Sequence, residues 1–127
     1  MSKKTTFIIS SHLMFQHGLE SLLSQQDGVN IVGRTTNPDL ALEQIKMLQP
    51  DVVIVDSTRL SIDLISKIIH SLNDYQDMKV IGLNLHNNQL TLYQRSQPAT
   101  VEYQKLEWRV EGITDLLKAI SYNSVSS

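Results

Sequence analysis

Two adjacent serines follow the first apolar segment of the chain. The stretch TFIISSH, residues 6–12, predicts a short strand that delivers Ser10 and Ser11 to the start of a helix. Hydroxyls beside a histidine suggest nucleophilic catalysis, but apart from the adjacent His12 no base or acid stands at a convincing spacing. We therefore interpret the serines as helix caps and hydrogen-bonding groups, and we do not expect an enzyme.

Asp56 and Asn84 end two further strand-like segments. Asp56 closes DVVIVD, whose continuous β-branched run is typical of a strand buried on both faces of a parallel sheet. Ligands of such sheets bind at the carboxyl ends of the strands, so Asp56 and the serines are candidates for a ligand or partner site. Alternatively, Asp56 is a strand-end acid that is solvated, paired with Lys105 or Arg109, or capping the next helix. Asn84 closes KVIGLN, and the NLHNN that it begins favours a turn over a ligand site.

The residue types offer no cofactor or metal site. The chain has no Cys, which excludes thiolate ligands and disulfides. Its five glycines form no G-x-G-x-x-G phosphate loop. The four histidines are scattered, without the i, i+4 spacing that places two ligands on one helix face, so we expect ordinary surface or capping roles. They are His12, His17, His70 and His86.

Length and charge limit the partners. With 127 residues the chain predicts one domain, residues 1–122, followed by a polar tail, residues 123–127. Eleven basic and thirteen acidic residues give a net charge of -2 without a basic cluster, so we expect no nucleic acid as a direct partner. The N-terminal apolar run is too short for a signal peptide or a membrane span. We predict a cytoplasmic protein without membrane contact.

Strands and helices alternate along the first two thirds of the sequence. The pattern β-α-β-α-β-α-β predicts a parallel sheet with helices on both faces. We expect strands at 6–9, 29–33, 51–56 and 79–84, and helices at 13–26, after Asn37, at 61–73 and at 110–122. Gly28 is the expected stop of the first helix, and Asn37 with Pro38 the expected start of the second. The predicted buried stripes are Phe15, Leu19, Leu22 and Leu23; Ala41, Ile45 and Leu48; Ile65, Ile68, Ile69 and Leu72; and Val110 or Ile113 with Leu116, Leu117 and Ile120.

The segment between 85 and 109 lacks a helical pattern. Apolar residues alternate with polar ones on both sides of RSQP, and Thr, Tyr and Val favour strands, so a β-hairpin or an extended excursion replaces a helix. Tyr93, Tyr103 and Trp108 cluster there. Such residues are enriched at protein interfaces, although they could instead cover the core where the helix is missing.

The motifs resemble a response-regulator receiver domain of the NarL/LuxR type. The resemblance lies in FIISSHLMFQHGLESLL and in VNIVGRTTNPDLALEQIKMLQPDVVIVD, and it resumes at the final DLLKAI. It implies a flavodoxin-like, CheY-like three-layer α/β/α fold with a central parallel sheet of about five strands. In this chain the fourth helix would be replaced by the hairpin or extended segment.

The same resemblance implies a degenerate phosphorylation site. Receivers have two acids that help to bind Mg²⁺, a phosphoryl-accepting Asp, a Thr or Ser, and a Lys that ends the fifth strand. By position these correspond to Ser10 and Ser11, Asp56, Asn84, and Lys105 or, counting back from the last helix, Arg109. A lone carboxylate would hold Mg²⁺ weakly, since losing electrostatic stabilisation of this kind costs about 2.7–4 kcal/mol per donor.

We therefore predict a pseudo-receiver, a phosphorylation-independent regulatory module without a cofactor. It would act through a protein partner or as a homodimer through residues 87–109. We expect no output domain after the last helix. One alternative is a functional single-domain response regulator phosphorylated on Asp56 by a histidine kinase. The other is a small-ligand-binding or hydrolytic flavodoxin-like protein.

Overall fold

The computed structural model describes residues 4–10, 12–56, 68, 78–84, 87–95 and 103–121. Within them lie six strands and three helices. The strands are β1 (Lys4–Ile9), β2 (Val29–Thr35), β3 (Val52–Asp56), β4 (Lys79–Asn84), β5 (Gln89–Arg95) and β6 (Tyr103–Arg109). The helices are α1 (Leu13–Ser24), α2 (Pro38–Leu48) and α3 (Ile113–Ser121). The helix predicted at 61–73 lies outside the described residues apart from Ile68, which is helical and fully buried.

All six strands form one mixed sheet in the order β2-β1-β3-β4-β5-β6. The first four are parallel neighbours, as the alternation of strands and helices predicts. The hairpin prediction is confirmed, because β5 runs antiparallel to β4 and β6 antiparallel to β5. The sheet has six strands where about five were expected, since both arms of the hairpin join it. Two successive reversals also make β6 parallel to β4.

The hydrophobic core has two layers, one on each face of the sheet. β3 is buried along its whole length, as expected for a central parallel strand. Its residues alternate between the layers: Val52 and Ile54 pack with α1 and α3, whereas Val53 and Val55 pack with α2 and Ile68.

The helix faces are partly as predicted. In α1, Leu19 and Leu23 are buried, but Leu22 is 51% exposed and Gln16 takes the buried place. In α2, Leu48 is 43% exposed. Both leucines lie at the margin of an apolar stripe, where a small helix rotation decides between core and solvent.

The predicted start of α2 is confirmed, whereas the predicted end of α1 is not. Asn37 caps α2, with its Oδ1 accepting from the backbone N–H of Asp39 at 3.0 Å, as predicted. Gly28 as the stop of α1 is wrong, because the helix ends at Ser24 and Gln25 is its C-cap in right-handed conformation. Residues 25–28 form the turn that leads into β2.

Lys79 begins β4 at the amino-terminal edge of the sheet, away from Asp56. Its Nζ donates to the carbonyl oxygen of Ile120 in the last turn of α3, at 3.0 Å, where the helix dipole favours a cation. Burial and, second, the nearby Lys4 charge lower the pKa of Lys79 to about 8, although Asp51 opposes the shift. The folded state therefore disfavours the charged form of Lys79.

We expect the wild type to gain stability relative to Lys79→Met as the pH rises from about 8 towards 10.5. In this window the unfolded chain keeps a proton that the folded chain releases, so raising the pH favours the folded state. Urea unfolding of both proteins across the window measures the effect, and the other titrating groups cancel in the comparison. A stability difference that does not change with pH would contradict the lowered pKa.

Candidate functional site

Ser10 and Asp56 meet at the carboxyl edge of the sheet. They follow directly on the paired residues Ile9 and Val55 of the parallel neighbours β1 and β3. Both are buried, with exposed fractions of 0% for Ser10 and 1% for Asp56. The Oγ of Ser10 lies 3.2 Å from Oδ2 of Asp56 and donates a hydrogen bond to it. The structure therefore brings together Ser10 and Asp56, two of the candidate site residues.

The Ser10 hydroxyl has two further neighbours on the backbone of His12. It accepts from the His12 N–H at 3.1 Å and lies 3.3 Å from the His12 carbonyl oxygen. A hydroxyl has one proton, so the carbonyl and Asp56 compete for it, and the anionic carboxylate is the stronger acceptor. The predicted serine cap needs correction. His12 is the N-cap of α1 and makes no side-chain cap, while Ser10 binds the N–H of that residue.

Ser11 lies outside the described residues. The alternative in which Asp56 is a solvated acid is wrong, because its side chain is buried where β1 and β3 end. Ser10 is one of its partners, and Asp56 makes further interactions.

A second buried polar residue, Gln16, holds the strand ends at this edge of the sheet together. The Nε2 of Gln16 donates to the carbonyl oxygen of Thr35 at 2.9 Å, and the same oxygen accepts from the backbone N–H of Ser10 at 3.2 Å. The end of β2 is thereby tied to α1 and to the residue that contacts Asp56. Gln16 was not among the predicted site residues, although its position places it on the helix face of Leu19 and Leu23.

The two candidate basic residues are not placed against Asp56. Lys105 lies in the middle of β6 opposite Tyr93, and its Nζ pairs with Oε1 of Glu107 at 3.3 Å on the surface. Arg109 does end β6 at the correct edge, opposite Gln89. However, β4 and β5 both lie between β6 and β3. Three strand spacings amount to about 14 Å, beyond the reach of one side chain.

Asn84, the last residue of β4, is half-buried and lines an apolar cavity of about 180 Å³ between α1 and α3. Ligand pockets of small-molecule sites usually have about 300–1,000 Å³. The walls are almost entirely hydrophobic, and the amides of three residues lie along them. The lining residues that matter here are Phe15, Leu19, Leu83, Asn84, Asn88 and Gln89.

The aromatic residues of the hairpin do not form one cluster. Tyr93 packs against the core layer of α2, whereas Trp108 packs against the layer of α1 and α3. Tyr93 and Trp108 are therefore on opposite faces of the sheet. Tyr103 pairs through its backbone with Arg95, and its side chain lies outside the described part of the structure.

The resemblance implies Mg²⁺ at this edge, but the donors among the described residues do not fit it. Ser10 and Asp56 supply one carboxylate and one neutral hydroxyl whose proton is directed at that carboxylate. Mg²⁺ prefers several anionic oxygen ligands in octahedral geometry. In the described ranges no group of three His, Cys, Asp or Glu side chains lies close enough to hold a metal ion. His70 and His86 lie outside those ranges.

Comparison with curated proteins gives distant relatives that include two regulatory proteins. No family model matches the sequence. The transcriptional regulatory protein DegU of Brevibacillus brevis is 19% identical over 114 residues, which are 90% of this chain and 48% of DegU. The response regulator GacA of Pseudomonas syringae pv. syringae is 24% identical over 78 residues, 61% of this chain and 36% of GacA. The chain thus spans half or less of the length of these two relatives.

Solved structures of response regulators also resemble this chain. The signal receiver domain of the response regulator NarL from Mycobacterium tuberculosis has a TM-score of 0.58 and 26% identity, over 68% of this chain and 69% of that domain. The response regulator RcsB of Salmonella typhimurium has a TM-score of 0.58 and 23% identity, over 69% of this chain and 46% of RcsB. None of the helices in the described residues has the length and apolarity that a bilayer span requires. The chain therefore has the receiver-domain fold of two-component response regulators, and both comparisons support its likeness to the NarL/LuxR type.

Proposed function

We propose that this chain is a receiver-like interaction module whose action does not depend on phosphorylation of Asp56. The observation that carries the proposal is the hydrogen bond of 3.2 Å between the buried Ser10 hydroxyl and Asp56. In this arrangement a neutral donor lies beside the carboxylate, at the place where a phosphorylatable site needs negative ligands for a dication.

The charge balance supports the same conclusion. Phosphoryl transfer relies on Mg²⁺ and positioned cations to neutralise the charge that develops on the transferred group. Ser10 contributes no charge, and Arg109 is three strand spacings from the strand of Asp56. An acyl phosphate at Asp56 would therefore be poorly neutralised.

The module acts by protein contact and not as an enzyme. Its net charge of -2 gives this module no attraction for nucleic acid, so we expect its direct partner to be a protein. DegU is named a transcriptional regulatory protein, and RcsB has been solved as a DNA complex, but this chain covers less than half of either protein. We place the module and its partner in the cytoplasm.

One second candidate has an observation in its favour. Asp56 ends the central strand at the edge where the acceptor of a receiver lies, so a response regulator phosphorylated there is the alternative. A small-ligand protein is less well supported, because the cavity beside Asn84 is small and apolar.

Intact-mass measurement after incubation with acetyl phosphate and Mg²⁺ tests the proposal. We expect no mass increase of one phosphoryl group in the wild type and no difference from Asp56→Asn. A known phosphorylatable receiver treated in parallel confirms that the donor is active. A Mg²⁺-dependent adduct that Asp56→Asn abolishes would replace the proposal by the alternative.

A further inference from the structure

The last strand of the sheet is regular along its whole length. β6 reads YQKLEWR, without Pro or Gly. Its register with β5 runs unbroken from the pair Gln89 and Arg109 to the pair Arg95 and Tyr103. Within the described residues, β6 pairs with β5 alone. Proteins usually protect such an edge with a proline, a bulge or charged side chains. β6 has no proline and its pairing with β5 shows no bulge, and its three charged residues are of both signs.

The alternation of bonded pairs between β5 and β6 shows which backbone groups of β6 point away from β5. The N–H of Val110 donates to the carbonyl oxygen of Asn88 at 2.7 Å, one step beyond the pair Gln89 and Arg109. Bonded pairs alternate in an antiparallel ladder, so the even-numbered residues of β6 bond to β5. The N–H and C=O groups of the odd-numbered residues point outward. These residues are Tyr103, Lys105, Glu107 and Arg109.

The outward pattern is complementary to itself. Around Leu106, a basic residue stands one position before and an acidic residue one position after. If a second β6 lies antiparallel with Leu106 opposite Leu106, each Lys105 faces Glu107 of the other copy. Shifting the register by two residues either way places Lys105 opposite Lys105, or Glu107 opposite Glu107. Opposite charges across a strand pair are favourable and like charges are unfavourable, so electrostatics selects the register centred on Leu106.

We propose that β6 pairs with β6 of a second copy of this chain, antiparallel about a two-fold axis through Leu106. The inference rests on the proposed function, for which it supplies the partner. A two-fold interface uses the same surface on both subunits, and this strand meets that requirement. The two sheets join into one continuous sheet, and the outward groups of the odd-numbered residues bond across the axis.

The side chains support the pairing. Lys105 and Glu107 are 55% and 45% exposed and already lie 3.3 Å apart within one strand. In the dimer each of these charges gains an opposite charge across the axis, which gives four charges of alternating sign. Leu106 is half-buried, and its contact with Leu106 of the second copy covers part of its remaining surface.

Charge exchange provides the first test, with sedimentation equilibrium of the full chain as the measurement. The wild type is expected to dimerise. Lys105→Glu and Glu107→Lys each place two like-charge pairs across the axis, and each is expected to raise the dissociation constant by about tenfold or more. The double variant restores opposite charges and is expected to return to the wild-type value. Lys46→Glu and Glu43→Lys, on the exposed face of α2, make the same charge changes away from β6 and should have no effect.

Disulfide formation tests the register directly. The chain has no Cys, so Leu106→Cys introduces a single thiol. Residues opposite each other in a non-bonded antiparallel pair have Cα atoms about 4.5 Å apart, which a disulfide spans. Oxidised glutathione is expected to link Leu106→Cys into a covalent dimer, and to link Lys105→Cys or Glu107→Cys far less, because these thiols do not face their own copies.

Two results would overturn the inference: a wild type that stays monomeric up to millimolar concentration, or a dimer that the single charge exchanges leave intact. Circular dichroism of each variant separates loss of dimer from loss of fold. A monomeric protein that also fails to accept a phosphoryl group would leave the proposed function standing with another partner. A phosphorylated Asp56 would refute that function whatever the oligomeric state.

Discussion

Replacing Ser10 with aspartate is expected to destabilise the folded protein by about 3 kcal/mol at neutral pH. The substitution places a second carboxylate beside buried Asp56, where the hydroxyl now donates a hydrogen bond over 3.2 Å. Two adjacent buried carboxylates cannot both ionise at low cost. Mg²⁺ is expected to recover most of the loss in Ser10→Asp, because a dication neutralises the pair, and to leave the wild type unchanged.

The pH dependence of Ser10→Asp follows from the same repulsion. Repulsion raises the pKa of one carboxyl in the folded state above its ordinary value of about 3.9. The folded protein then binds a proton that the unfolded chain has released, so the loss is small below about pH 4 and complete above the raised pKa. Urea unfolding at acidic and neutral pH, with and without Mg²⁺, measures these effects.

Ser10→Asn is the matched control for this experiment. Asparagine has the shape of aspartate without its charge, and its amide can still donate to Asp56. We expect a much smaller loss and no response to Mg²⁺. Stabilisation of the wild type by Mg²⁺ would contradict our account of the donor set, as would equal losses in both variants.

Truncating Leu92 to alanine is expected to reduce the free energy of unfolding by about 2–5 kcal/mol. Leu92 lies in the middle of β5, between Ile81 of β4 and Leu106 of β6, and it is fully buried. The substitution leaves a cavity under the sheet that neighbouring strands cannot fill. Urea denaturation followed by circular dichroism gives the value.

Leu22→Ala is the control for Leu92→Ala, because it removes the same atoms from a position that is 51% exposed. We expect a change of about 0.5 kcal/mol or less there. If the two variants lose equal stability, the hairpin would not be part of the core.

Patterns among neighbouring residues were sufficient to predict several features of the fold. The β-branched run before Asp56 indicated a strand buried on both faces, and Asn37 indicated the start of α2; both are confirmed. The hairpin was also predictable, because an alternation of period two does not suit a helix. Each of these signals is contained in neighbouring residues.

The place of the hairpin in the sheet was not predictable in this way. The sequence left Lys105 and Arg109 as equal candidates for a partner of Asp56, and tertiary structure removed both by inserting β5 between β4 and β6. Strand order depends on contacts between residues far apart in the chain, which no periodicity records. The same is true of Leu22 and Leu48, whose exposure is set by the orientation of each helix on the sheet.

By itself, the sequence determined the alternating α/β architecture, the two hydroxyls in place of acids, and the charge pattern centred on Leu106. Residue types and short-range periodicity carry that information. Only the tertiary structure decided that Ser10 bonds to buried Asp56, and that β6 lies at the edge of the described sheet. It also decided that the backbone N–H and C=O groups of Lys105 and Glu107 point away from β5. Those facts depend on strand register and packing, which are set by the whole chain.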